Sequence, residues 1–456
     1  MNIQFSFAKN KHKIIVFCLF LLVSHRGYTN DNVKTKADEQ RWTPALTLQQ
    51  VMTMAVDNDY LLKQHQYHQQ AELHLAKAAL SYDNPKVSLS ILNLPTDSWS
   101  LNQEAMTQLK VGVSQSIPRG DSLELKEVVH GLNAQQHEML EFNQVALLNL
   151  RVLNLWFDYH LVVKKIAVVN TNKTTLDQLL NTITSRYQTT VKGSRQQDYL
   201  AMKLKRLALI DQNLKLNADL SSLTSQLNGL IGRSGESTIK LSPFRAQGYP
   251  ELESLVEEHG LYKLVWNEQI LSKKVDRHPL VLNQEFQVQR AASNVELAKQ
   301  QYKPQWNVNA SYAFRDSNES HLTRSDFFSV GLTFDVPLFS TNKQDRMVHA
   351  EKSVVEANRT KYLLSIQNLT NELTVQWQKL QRLNERHTLY QQSLMLVSSQ
   401  QHEALMLDYS NDTGELLSVL DARIAENNIK LSAFEVEIER LKTLAKIQYL
   451  LAGEKS

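Results

Sequence analysis

The segment Val111-Gly112-Val113-Ser114-Gln115-Ser116-Ile117-Pro118 returns 219 residues later as Val330-Gly331-Leu332-Thr333-Phe334-Asp335-Val336-Pro337. Both follow one pattern: valine, glycine, apolar, hydroxyl, any residue, polar, apolar, proline. The same offset places Pro85 on Pro304, while Tyr187 and Gly193 fall on Tyr409 and Gly414 at offsets of 222 and 221. Coincidence would have to act at several stations in the same order, so the chain is read as a duplication. Each unit then carries a long stretch without proline: none lies between Pro118 and Pro243, and none follows Pro337. Proline removes a helical hydrogen bond and clashes with the preceding turn, so stretches of this length point to long helices.

Ahead of those stretches the period is two. Val87, Leu89 and Ile91 alternate with Ser88 and Ser90, and Leu109, Val111 and Val113 alternate with Lys110, Gly112 and Ser114. In the second unit Trp306, Val308, Ala310, Tyr312 and Phe314 alternate with polar or small residues, as do Phe328, Val330, Leu332, Phe334 and Val336. These are strands with one apolar and one polar face, expected over residues 86–94, 108–117, 305–314 and 327–336. Polar loops, Thr96 to Thr107 and Arg315 to Asp326, join them into hairpins.

Beyond each hairpin the period becomes helical. Tyr362, Ile366, Leu369, Leu373, Gln376, Leu380, Leu383, His387, Tyr390, Leu394 and Val397 recur at 4,3 spacing, and Leu417, Leu420, Ile424, Asn427, Leu431, Phe434, Ile438, Leu441 and Ala445 at 3,4 spacing. Such heptads specify coiled-coil-like seams, in which Gln376 and His387 set the register. The first unit is looser, with Leu125, Leu132, Met139, Ala146 and Leu153 in one register and Val128, Phe142, Trp156 and Val163 in another. Long helices are expected over 122–190, 195–232, 344–409 and 415–452. Shorter amphipathic helices precede each hairpin, at Leu46 to Leu80 and Leu255 to Gln301. Gly- and Pro-bearing residues 233–254 read as the linker between a first repeat, 30–232, and a second, 255–456.

The first 29 residues carry four basic groups, no acid, and the apolar run Ile14 to Val23, followed by Gly27-Tyr28-Thr29. That is the grammar of a secretory signal, too short to span a bilayer. Formal charge is +3 over the whole chain. Without the signal it is near neutral, with no electrostatic footprint for nucleic acid. The only cysteine, Cys18, lies in the signal, so disulfide and thiol chemistry are excluded from the mature chain. Neither a P-loop, a G-x-S-x-G nor an H-E-x-x-H is present, and no catalytic residue, cofactor or metal site is assigned. His65 and His68 lie one helical turn apart but lack an evident third ligand, and solvated histidines are the expected reading.

A signal followed by hairpins with one apolar face suggests an outer-membrane barrel, although alternation looks the same in a soluble sheet packed on a helix. One chain supplies four strands where the smallest barrels need about eight, so several copies would have to close one together. The duplicated order of amphipathic helix, hairpin ending in V-G-x-[ST]-x-x-x-P, long heptad helix, tip turn and returning heptad helix resembles the TolC-like outer-membrane efflux proteins over about Leu46 to Ala452. The resemblance implies a mostly α fold with β: a homotrimer with a twelve-stranded β-barrel in outer-membrane lipid, continued by a periplasmic α-helical barrel. It further implies a passive duct working with a periplasmic adaptor and an inner-membrane transporter of the resistance-nodulation-division or ABC type. Val113-Ser114-Gln115-Ser116-Ile117-Pro118 with Gly120, and Lys192-Gly193-Ser194 with Gln197-Asp198-Tyr199-Leu200, are similar to the branch that serves metal-ion pumps, although Arg119-Gly120-Asp121 lacks the basic residue expected after the glycine.

By the same resemblance, Val191, Lys192 and Gly193, with Asn411, Asp412 and Thr413, would form the adaptor-contacting tips. Tyr409, ahead of Val419-Leu420-Asp421-Ala422, would tether the gate, and Asp421 would form a ring of carboxylates at the pore constriction. A solvated helix face is the alternative for Asp421. For the whole chain, the alternatives are a periplasmic coiled-coil scaffold without a pore, which would not need paired hairpins, and the outer-membrane channel of a type I protein secretion system.

Overall fold

The computed structural model describes residues 45–189, 196–233, 239–245, 249, 252–254, 268–317, 323–411 and 413–453. The signal-like residues 1–29 therefore lie outside the described residues. Two short helices, α1 (Leu48–Asn58) and α2 (Tyr60–Ala79), precede strands β1 (Lys86–Leu92) and β2 (Gln108–Ile117). They are followed by α3 (Ser122–Thr189) and α4 (Gln196–Leu230). The second repeat runs α5 (Glu268–Val275), α6 (Pro279–Lys299), β3 (Trp306–Phe314), β4 (Phe327–Phe334), α7 (Gln344–Leu389), α8 (Met395–Ser410) and α9 (Leu416–Leu450). At about 1.5 Å per residue, the 68 residues of α3 extend roughly 100 Å.

Helix ends follow local chemistry. Thr47 and Gln50 make a reciprocal capping box at the start of α1, and the Asp59 carboxylate accepts from the Leu62 amide at 2.6 Å, splitting the expected 46–80 helix in two. The four strands form one antiparallel sheet in the order β1-β2-β3-β4. The two hairpins meet through β2 and β3, where Val111 pairs with Tyr312 and Gly112 with Ser311.

The repeated glycine has a steric reason. A Cβ on Gly112 would sit 2.8 Å from the Ser88 hydroxyl, and one on Gly331 would sit 2.7 Å from Asn309 Oδ1, so each glycine makes room for a polar neighbour on the adjacent strand.

Below the sheet the repeats are cross-tied. Arg119, just after β2, pairs with Asp335 at the end of β4 and donates to the Lys303 carbonyl at 2.9 Å, while Lys303 Nζ meets Asp121 at 2.9 Å. Lys303 of the second repeat thus brings a cation to Asp121 where the first repeat's own sequence lacks one.

The main core gathers Val152, Trp156 and Phe157 of α3, Leu373, Trp377 and Leu380 of α7 and Ile438 to Leu451 at the chain's end, with Ile239, Tyr249 and Leu252. The last three belong to the expected linker, whose described residues thus contribute to this core. Trp156 Nε1 donates to the Tyr249 hydroxyl at 2.9 Å, and Leu46 bridges Leu241 in parallel.

The heptad seam of α7 holds as far as Leu383. At Tyr390–Leu394 the helix makes one π-turn, and one extra residue rotates the remainder of the helix, so that Ser398 is buried and the expected Val397 is exposed. Trp377 takes the core place beside Gln376, which bonds locally to Glu372 at 3.0 Å. In α3 the Val128, Phe142 and Val163 register is exposed, and only its member Trp156 is buried.

Two buried histidines give the fold a pH dependence. Burial lowers His160 to about 4, and burial with the nearby Lys446 charge lowers His278 to about 4, against an ordinary 6.5. His278 Nδ1 also caps α6, accepting from the Leu280 amide at 3.2 Å, which requires the unprotonated ring. The unfolded chain takes up these protons near pH 6.5 and the folded chain only near 4, so stability is full above that window and falls as pH drops through it. Thermal unfolding midpoints at pH 7.5 and 5.0 should show this loss. His278→Asn, which keeps a capping acceptor, should reduce the pH difference relative to wild type.

Candidate functional site

The sheet is inverted with respect to a soluble one. Its apolar residues line up across strands as Leu89-Val111-Tyr312-Phe328 and Val87-Val113-Ala310-Val330. This face is open: Leu89 is 72% exposed, Phe328 71% and Val330 68%. On the other face the two inner strands shelter small residues, Gly112 and Ser311, the latter only 7% exposed. A sheet packed on a helix would bury the first set and expose the second. Apolar-out alternation is what lipid demands of a spanning strand. Among the described residues no helix is long and apolar enough to cross a membrane.

The loops above the sheet are held to one another. Arg315 Nη2 donates to the Ala105 carbonyl at 2.8 Å and Arg324 Nη1 to the Glu104 carbonyl at 2.9 Å. Thr107 Oγ1 closes the first hairpin on the Asn93 carbonyl at 2.7 Å.

At the far end of the long helices, the turn between α8 and α9 is built around one carbonyl. Asp408 O accepts from the Thr413 amide (3.0 Å), the Gly414 amide (3.1 Å) and the Thr413 hydroxyl (2.9 Å). Asn411 donates its amide to Leu407 O at 3.1 Å. A Cβ on Gly414 would lie 2.9 Å from the Tyr409 amide nitrogen, so glycine is needed for this close return. The structure thus places Tyr409, Asn411 and Thr413 in one turn; Asp412 and the other expected tip, Val191, Lys192 and Gly193, lie outside the described residues.

Behind this turn Leu176 of α3, Met202 of α4 and Leu420 of α9 pack together. Asp421, next in sequence, is exposed and pairs with Lys205 of α4, while Arg206 pairs with Asp177 at 2.6 Å. Lys205 escaped the sequence reading because only the packing of α4 against α9 tells it from its neighbours Lys203 and Arg206.

His65 and His68 do acquire a third neighbour. His137 of α3 packs against both rings. Burial lowers the pKa of His65 and of His137, and the neighbouring histidine charges lower them further. Elsewhere, a groove of about 440 Å³ beside α1 and the end of α9 is lined by Met52, Leu150, Leu153 and Tyr449 with the amides Asn149 and Gln448, and among the described residues no carboxylate, histidine or cysteine faces it. It offers no acid–base pair.

The two faces of the sheet predict opposite outcomes for substitutions on one strand. Val330→Lys puts a charge on the lipid side and should cost about 2–4 kcal/mol if it lies near the bilayer midplane, whereas Thr333→Lys on the opposite face should be tolerated. Heat-modifiable migration of membrane-extracted protein would report both.

The family described as outer membrane efflux protein matches residues 270–453. No curated protein matches the chain by sequence. Solved structures do match over nearly all of it. CusC, described with the conformational changes that accompany folding and transmembrane channel formation, superposes with a TM-score of 0.70 at 15% identity, covering 89% of this chain and 92% of that one. The CmeC outer membrane channel of Campylobacter jejuni gives 0.69 at 11%, covering 89% and 85%. The open state of the MtrE outer membrane channel of Neisseria gonorrhoeae gives 0.67 at 13%, covering 89% of each. The resemblance to TolC-like outer-membrane efflux proteins is thus met by a family match over the second repeat and by the fold over both.

Proposed function

We propose that this chain works as a TolC-like outer-membrane efflux protein: the duct of a tripartite system, seated in the outer membrane by its sheet and reaching into the periplasm with its helices. The observation that carries this is the open apolar face of a four-stranded sheet whose outer strands, β1 and β4, each have one neighbour. A sheet edge left unpaired in hydrocarbon costs several kcal/mol per orphaned backbone group, so the sheet must close, and a second and third copy supply the missing strands. The exposed Val128, Phe142 and Val163 register of α3 gives those copies a further apolar stripe to cover. A scaffold without a pore has no use for the open sheet face.

The duct itself is passive; energy and selectivity come from an inner-membrane pump reached through a periplasmic adaptor. The Val113 to Pro118 motif favours a metal-ion pump as the partner to test first. Adaptor contact is assigned to Asn411, Asp412 and Thr413 and to Val191, Lys192 and Gly193; of these, Asn411 and Thr413 are exposed in the turn between α8 and α9, where backbone is open to a partner. Light scattering of the detergent-solubilised protein should give three chains per particle; a folded, monodisperse monomer would sink the reading.

At the gate, Lys205 joins Asp421. Three Asp421 carboxylates around a threefold axis would attract a divalent cation, and Lys205 beside each would offset that charge. An exposed pair of this kind contributes at most about 1 kcal/mol, so an ion can displace the lysine. In planar bilayers at low salt, Asp421→Asn should abolish divalent-cation block, while Lys205→Met should strengthen it several-fold. Tyr409→Phe should raise basal conductance if its hydroxyl ties neighbouring helices. Identical block in wild type and in both charge variants would remove Asp421 from the constriction.

A further inference from the structure

One cluster of chemically capable side chains has no part in a duct. His65 and His68 stand one turn apart on α2, and His137 of α3 has its ring centre 5.9 Å from that of His65 and 5.0 Å from that of His68. The Nδ1 atoms of His65 and His137 are buried without a hydrogen-bond partner. Buried nitrogens of this kind lose hydration with nothing in exchange, a cost that a ligand to the ring would remove. The helices that carry them are already fixed to one another. Gln66 donates to Glu141 at 2.8 Å on one side of the cluster, and on the other Glu72 holds both His130, at 2.8 Å, and Asn133, at 3.2 Å.

The separations match joint ligation. With metal–nitrogen bonds of about 2.0–2.1 Å and a nitrogen about 1.1 Å from its ring centre, two imidazoles on one tetrahedral ion have centres about 5 Å apart. His68 and His137, at 5.0 Å, stand at that spacing, and His65, at 5.9 Å from His137, lies somewhat beyond it. Their tilt does not yet serve: the His68 and His137 planes are only 17° from parallel, and among the described residues no three ligating side chains converge. Ring rotation would have to turn the nitrogens toward one ion. His68 is solvent-exposed, and the last torsion of a histidine is broad and easily turned.

We propose that His65, His68 and His137 form a site for a divalent transition metal of the imidazole-preferring class, Zn²⁺ first, which clamps α2 to α3. Two ligands one turn apart on a helix with a third from the facing helix is a sufficient protein set, leaving the fourth position to water. Asp59 and Glu141 near His65, and Glu72 near His137, act on the rings electrostatically and would offset the charge of the ion. This inference rests on the cluster alone and stands or falls apart from the duct reading.

The test uses the full chain in detergent, prepared without a polyhistidine tag and titrated with zinc chloride by calorimetry at pH 7.5. Saturable binding of one ion per chain is expected, with X-ray absorption at the zinc edge showing histidine ligation. Outer-shell changes alone commonly weaken a metal about 10–100-fold, so His68→Ala and His137→Ala should each weaken binding at least about tenfold. His74→Ala, on the same helix, should leave it unchanged. His68 is exposed, so its variant keeps the test sound if His137→Ala fails to fold. Absence of saturable binding in wild type, or wild-type affinity in His68→Ala or in folded His137→Ala, would overturn the site.

Discussion

A strand that enters hydrocarbon must bond every backbone amide and carbonyl to another strand, and much of the rest of this molecule answers to that demand. The inverted sheet meets it within each chain, where three antiparallel pairings run without interruption from β1 to β4. Opposite the apolar face, Gly112 and Gly331 leave room for the Ser88 and Asn309 side chains of the adjacent strands. In the duct proposed above, the constraint then passes to the outer strands β1 and β4, each of which has one neighbour within the chain and would take its second from another copy.

The transition from sheet to helix is the mechanically important zone, because a shift there would turn every heptad below it. Pro118 and Pro337 end the strands, and the Arg119–Asp335 and Lys303–Asp121 pairs tie each strand end to the opposite repeat. Further along, the aromatic core around Trp156, Tyr249 and Trp377 joins both repeats to the segment between them. Polar ties continue beyond it, with Lys442 on Asp158 at 2.9 Å and Asn427 on Asn172 at 2.6 Å. The helices are registered at each level by interactions that cross from one repeat to the other.

Much of this was legible in the sequence because period two and period seven are local properties. The strand ends came within two residues, and the α7 seam was correct while the helix stayed regular. It failed after Tyr390, where the π-turn inserts a residue that heptad counting cannot register. The same limit explains why Ile239 and Tyr249 were not expected in the core. Ser234, Gly235, Pro243 and Pro250 announce turns, while the burial of Ile239 and Tyr249 depends on helices far away in sequence. Lys205 opposite Asp421 and His137 opposite His65 are likewise products of helix pairing, and no spacing within one segment reveals them. The open face of the sheet could not be told from a buried one by alternation; only exposure in the folded chain separates them.

The pairing of β2 with β3 also fixes an order of events. Leu109 lies opposite Phe314, so the middle of the sheet joins residues more than two hundred positions apart. Each hairpin is a local structure, closed by residues 93–107 or 315–326, and is available as soon as its own residues have emerged. Their union must wait for the whole first helical pair and the packed segment after it, and contacts so distant in sequence are slow to form. During that interval an apolar, edge-bearing ribbon has neither its sister hairpin nor a bilayer. A chain built this way therefore completes its sheet last, and until then the first hairpin carries an open edge that another strand could pair with.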